Sequence, residues 1–101
     1  MHFLKISGVV ERTKKIEFEQ TIKFVFGQFT TDCMERSLSA EIFDVDTFYF
    51  FTTWKSEDAL KKFMESEEYQ LARGVYDALG VLEKIEFGYD AEINTIHINY
   101  V

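Results

Sequence analysis

Three side chains in the second half of the sequence have the types and spacing for ligand chemistry. Arg73 stands four residues after Tyr69 and three before Tyr76, so on a helix the three can share a face. Such an arginine is a cation at the mouth of a pocket, able to hold an anionic or phenolic ligand. The plainer alternative is an arginine paired with an Asp or Glu at the surface. Trp54, at the end of the aromatic run TFYFFTTW, is pocket wall or core. Cys33 has no histidine close in sequence and no basic neighbour before Arg36, the setting of an inert buried thiol rather than a nucleophile. His97 falls on the polar-leaning side of a tail strand and reads as a solvent or interface histidine. His2 lies near the start, and two histidines so far apart make no metal-spacing motif. A glycine-rich phosphate loop, a hydrolase nucleophile elbow and a paired-carboxylate signature are all missing. No catalytic residue is assigned, and no metal is expected.

The elements that must position these residues follow from hydrophobic period. Thr47 to Trp54 is β-branched or aromatic at every position, which predicts a strand buried on both faces. Phe48, Phe50, Thr52 and Trp54 point one way, Tyr49, Phe51 and Thr53 the other. Ser56 is an N-cap with Glu57 and Asp58 in the first turn behind it, and Gly80 is the stop, so a long helical stretch returns over the sheet. Glu65 to Glu68 is charged all round, and Ser66 there restarts the helix as a second N-cap. Earlier, His2 to Val10 predicts a first strand and Glu11 to Lys15 a charged connection. Phe18, Ile22, Val25, Phe26 and Phe29 form the one-sided stripe of a helix over 16–29. Gly27 either weakens that helix or lets it approach the sheet closely. Met34 to Phe43 alternates as a half-buried strand, and Asp44-Val45-Asp46 links it to the central strand as a hairpin. Val81, Glu83, Ile85, Phe87 and Tyr89 share one face of a fourth strand. Thr95 to Val101 is an apolar tail strand that needs an edge to pair with.

Bulk composition narrows the class. One hundred and one residues make a single domain, 1–101, and eleven phenylalanines are more than one thin layer hides. A net charge of −7 with no basic stripe excludes a nucleic-acid surface. The lone cysteine favours a reducing compartment. No signal-peptide pattern opens the chain, and no apolar run approaches the ~18 residues of a membrane span. The expectation is a cytoplasmic protein with no membrane partner.

The order β-α-β-β-α-β plus a tail strand is the ferredoxin-like arrangement, α+β, with both helices on one face of an antiparallel sheet. A sheet with one watered face should alternate with polar residues there. The central strand does not, so a second copy is expected against that face, with the tail strand adding to the partner's edge.

The run Trp54-Lys55-Ser56-Glu57-Asp58-Ala59-Leu60, followed by Phe63, Ser66 and Tyr69, resembles the antibiotic-biosynthesis-monooxygenase family of dimeric α+β barrels. It looks like that family's strand-end tryptophan, helix start and downstream serine-to-aromatic spacing. Cys33-Met34 is similar to the Gly-Cys-Leu that opens the second strand, with Asp32 in place of the glycine, and Glu17-Phe18 fits the start of the first helix. The likeness spans nearly the whole chain. It implies a homodimer. It also implies a range of activities: cofactor-free oxidation of polyketide quinols, haem degradation, or no known chemistry. In the haem-degrading branch a tryptophan and, ten residues on, a histidine are functional. Phe63 and Arg73 stand at those two positions, so the axial ligand is missing and no cofactor, haem included, is expected. Two readings follow. One is a cofactor-independent monooxygenase-like protein acting on a small aromatic or quinol-type substrate, with Trp54, Phe63, Arg73 and Tyr76 lining the pocket. The other is a non-catalytic ligand-binding or interaction module of the same fold. A pocket with Arg73 or a tyrosine hydroxyl aimed inward favours the first; a cavity filled by phenylalanines favours the second.

Overall fold

The computed structural model describes residues 1–29, 32–92 and 95–100, with side chains through residue 89. The elements are β1 (His2–Val10), a short 3-10 turn (Arg12–Lys14), α1 (Lys15–Gly27), β2 (Cys33–Ala40), β3 (Thr47–Trp54), α2 (Glu57–Met64), α3 (Glu67–Leu79), β4 (Gly80–Glu92) and β5 (Thr95–Tyr100). The strands form one sheet in the order β2-β3-β1-β4-β5, with every neighbouring pair antiparallel. This is the expected ferredoxin-like α+β arrangement, with the second helical stretch divided between α2 and α3.

The core lies between one sheet face and the helices. Leu4, Ile6, Phe48 and Phe50 from the sheet meet Phe18, Ile22 and Val25 of α1 and Ala72, Val75 and Tyr76 of α3. The Phe18 ring packs against Phe48 at 5.2 Å and edge-on to Tyr76 at 4.8 Å. Ser66 separates the two helices as expected. Its hydroxyl accepts from the Tyr69 amide at 3.2 Å, as the Ser56 hydroxyl accepts from Ala59 at 3.1 Å, so each helix begins on a satisfied cap.

Four features differ from the sequence-based expectations. First, β2 ends at Ala40 rather than Phe43. Asp44 closes the hairpin early: its carboxylate accepts from the Asp46 amide at 3.2 Å and the Thr47 hydroxyl at 2.9 Å, and the Glu41 amide reaches the Thr47 carbonyl at 3.0 Å. Ile42 and Phe43 are left in the loop. Second, β4 carries a bulge. The pairing passes from Ser7–Lys84 to Gly8–Leu82, and the extra residue, Glu83, exchanges the faces on either side of it. Leu82 therefore joins Phe87 against the core, while Val81 is exposed. Third, β4 extends to Glu92 because β5 pairs with it and continues the ladder. Fourth, Gly27 approaches nothing, whereas a side chain on Gly80 would run into the Val9 carbonyl. Gly80 ends α3 with an extended backbone, φ −178°, so close approach to β1 is what a glycine serves there.

The outer face of the sheet is mixed rather than uniformly apolar. Tyr49 and Phe51 are half-buried. Lys5 holds its ammonium 4.4 Å over the Tyr49 ring, and the Tyr49 hydroxyl donates to Glu41 at 3.1 Å. Phe3 stacks on Phe51 at 6.1 Å. Among the described residues no helix is long and apolar enough to cross a membrane.

Candidate functional site

The aromatic end of β3 meets the junction of α2 and α3 at Trp54. Its indole N–H donates to the Thr52 hydroxyl at 2.9 Å, which satisfies the one polar atom of the ring and fixes its plane. Phe63, from the last turn of α2, stacks on that plane at 4.7 Å and 23°. Phe29, just past α1, stands edge-on to Phe63 at 4.9 Å and lies 5.5 Å from Trp54. These three rings come from three separate parts of the chain because α1, β3 and α2 all end at the same edge of the core.

They form the apolar wall of a cavity of about 270 Å³, slightly below the ~300 Å³ at which ligand sites commonly begin. Its polar rim is made by Gln28, Asp32, Lys62, Ser66 and Glu68. Asp32 is held in place through its carbonyl, which accepts from the Lys55 amide at 3.0 Å. The rim thus carries two carboxylates and one ammonium around an opening walled by flat rings. A planar molecule with ring hydroxyls matches this arrangement, because rings stack on the wall while hydroxyls meet hydrogen-bonding groups at the rim.

Of the four residues singled out in the sequence, the structure brings Trp54 and Phe63 together at this cavity. The other two stand apart from it. Tyr76 is fully buried in the core, and its hydroxyl hydrogen is shared between the Phe48 carbonyl at 3.1 Å and the Ile6 carbonyl at 3.3 Å. Burial raises its phenol well above the ordinary value. Arg73 is exposed on α3 with its guanidinium 5.6 Å from the Tyr69 ring centre. Tyr69 in turn abuts Phe63 edge-on at 5.6 Å, so Arg73 touches the cavity wall only through an intervening ring. Burial raises the Tyr69 phenol, an effect that Arg73 partly offsets. Helical geometry accounts for the separation: Tyr69, Ala72 and Tyr76 turn inward as one stripe, and Arg73 lies beside it.

Phe29, Asp32, Lys62 and Glu68 were not marked by sequence reasoning. Phe29 is visible as the last member of the α1 stripe, but charged residues on a helix or loop carry no signal until the fold sets them around an opening. Cys33 is half-buried, and its thiol donates to the Glu35 carbonyl at 3.2 Å; burial raises its pKa. His97 pairs with Tyr89 in the β5–β4 ladder, and its side chain lies outside the described ones. Among the described residues, no group of three or more His, Cys, Asp or Glu is arranged to hold a metal.

No protein-family profile matches the chain, and no curated protein matches it in sequence. Solved structures match its fold. A provisionally named antibiotic biosynthesis monooxygenase from Deinococcus radiodurans superposes with a TM-score of 0.77 at 13% identity, covering 96% of this chain and 99% of its own. Another so named, from Caulobacter crescentus, gives 0.76 at 18% identity over 90% of each chain. A conserved protein from Methanosarcina mazei gives 0.75 at 15% identity, covering 86% of this chain and 89% of that one. At these identities the likeness is one of fold, and at that level the resemblance seen in the sequence holds.

Proposed function

We propose that the chain is a homodimeric α+β barrel protein that takes a small planar aromatic or quinol-type molecule against the wall formed by Trp54, Phe63 and Phe29. The observation that carries this reading is the cavity itself, walled by three aromatic rings and lined elsewhere by Gln28, Asp32, Lys62, Ser66 and Glu68. Stacking supplies affinity without selecting one substituent, and the rim orients ring hydroxyls. The partly filled space, with neither Arg73 nor a tyrosine hydroxyl among its lining residues, favours binding over elaborate chemistry.

A second reading, oxidation of the bound molecule, is favoured by the carboxylates of Asp32 and Glu68 at the rim and by the names of the structural neighbours. A ring hydroxyl would give its proton to one carboxylate. The electron-rich ring carbon, still bearing its hydrogen, would form a carbon–oxygen bond with molecular oxygen. The carboxyl would return that proton to the peroxide oxygen, and loss of water from the resulting hydroperoxide, taking the hydrogen on the same carbon, would leave a quinone carbonyl. The protein would supply orientation, exclusion of water and the proton acceptor.

Trp54 is the chain's only tryptophan, so tryptophan emission, excited selectively over the tyrosines, reports on this cavity. Titration with a hydroquinone or naphthol is expected to change it saturably. Phe63→Ala removes the ring stacked on Trp54 and is expected to weaken binding about tenfold, which corresponds to ~1.4 kcal/mol. An unresponsive tryptophan, or an F63A protein that binds as well as wild type, overturns the assignment. Oxygen uptake with the same ligands then separates turnover from binding.

A further inference from the structure

A second, more polar space of about 320 Å³ adjoins the Trp54 cavity along the outer side of α2. The two spaces meet at Asp32, Ala59 and Lys62, which line both. The border is low at Ala59, which is buried and offers only a methyl group. Beyond it stand Ser56, Asp58, Lys61 and Glu65. The α2 sequence produces this division. Ala59, Leu60 and Phe63 turn to the core, while Asp58, Lys62 and Glu65, at spacings of four and three, share the outer side.

Charge sets what can lie there. The Lys61 ammonium already sits 3.5 Å from Glu57, a carboxylate outside the lining of either space. Even apart from Asp32 at the border, the remaining balance is negative: Asp58, Glu65 and Glu68 against Lys62. The α2 dipole tips this balance little, because the space runs from the N-cap, Ser56, to the C-cap, Glu65, and so meets both ends of the helix. The carboxylates are spread along the space rather than gathered, and among the described residues no group of three or more His, Cys, Asp or Glu is arranged to hold a metal. Dispersed negative charge beside an aromatic wall suits an organic ammonium, which needs no fixed coordination geometry.

We infer that the molecule held against Trp54 and Phe63 carries a short aliphatic ammonium arm, which passes over Ala59 into the space between Asp58 and Glu65. This rests on the aromatic-ligand reading above and narrows it: among planar phenols the site selects those bearing an alkylamine and rejects those bearing a carboxylate. The chain's net charge of −7 works in the same direction, drawing cations and repelling anions at a distance.

Isothermal titration calorimetry on the full chain tests it with three hydroquinones that differ only in the arm: ethyl, aminoethyl and carboxymethyl. At neutral pH and low salt the aminoethyl compound should bind about tenfold tighter than the ethyl one, and the carboxymethyl compound more weakly than either. The preference should shrink in ~1 M salt, where charges are screened beyond about 3 Å. The double variant Asp58→Asn/Glu65→Gln alters only exposed side chains. It should keep the wild-type circular dichroism and reduce the aminoethyl-to-ethyl affinity ratio to about twofold or less, whereas Lys62→Gln should raise that ratio. Failure of all three compounds to bind overturns the aromatic-ligand reading and this inference with it. Binding of the ethyl compound with no preference for the amine overturns this inference alone. A preference that survives in the Asp58/Glu65 variant overturns the path assigned to the arm.

Discussion

Tyr76 joins three elements through one hydroxyl. From α3 it crosses the sheet face and meets carbonyls on both β1 and β3, its ring resting where Gly8 leaves room: a Cβ on Gly8 would lie 2.5 Å from Tyr76 Cδ1. Removing the hydroxyl leaves buried acceptors with one bond fewer. Tyr76→Phe is therefore expected to cost about 1 to 2 kcal/mol and to lower the melting temperature by on the order of 5 °C in a domain of this size. Ligand affinity at the Trp54 cavity should be unchanged. A loss of binding at unchanged stability would instead give Tyr76 a part in the site. What the sequence made legible was only the spacing of a tyrosine near an arginine on one helix, read there as a ligand pair. The tyrosine's actual partners were not legible, because a backbone carbonyl more than twenty residues away leaves no trace in residue types.

Among the elements, the β2–β3 hairpin shows how a few polar atoms decide a boundary. Alternation alone carries β2 through Ile42, but the Asp44 carboxylate captures Asp46 and Thr47 and turns the chain earlier. Asp46 then becomes a junction: its carboxylate lies 2.9 Å from the Lys15 ammonium and 3.9 Å from the Arg12 guanidinium, tying the hairpin to the start of α1. The Lys15 hydrogen bond, with the nearby positive charges, holds the Asp46 carboxyl below its ordinary value. A depressed folded-state pKa means that the stabilisation is fully present above the unfolded value near ~3.9 and is lost as pH falls through the lower, folded one. Asp46→Asn should thus melt lower than wild type at neutral pH, and the gap should close as the pH drops below about 4. A gap that stays constant with pH would mean that the ion pair contributes nothing. Helix periods, the Ser56 and Ser66 caps and the strand order were readable because each is a local pattern. The Glu83 bulge was not, since a single extra residue changes no propensity and only the register against Ser7 and Gly8 reveals it.

For the molecule as a whole, the outer sheet face is where the expectation of a partner is to be weighed. Phe51 and Tyr49 are half-buried in one protomer, and part of their cover is internal, from Phe3, Lys5 and Glu41. If a second copy lies on this face, Phe51→Asp should shift a sedimenting dimer to monomer at micromolar concentration while leaving Trp54 fluorescence in place; a wild-type monomer at that concentration would remove the basis for the pairing. The position of β1 has a further consequence for how the chain is made. Its hydrogen-bonding edges face β3 on one side and β4 on the other, so β1 is completed only by a strand that begins at Gly80. Until the residues from Gly80 onward emerge from the ribosome, a nascent chain holds β1 with one edge unsatisfied, and the sheet can close only after β4 is made.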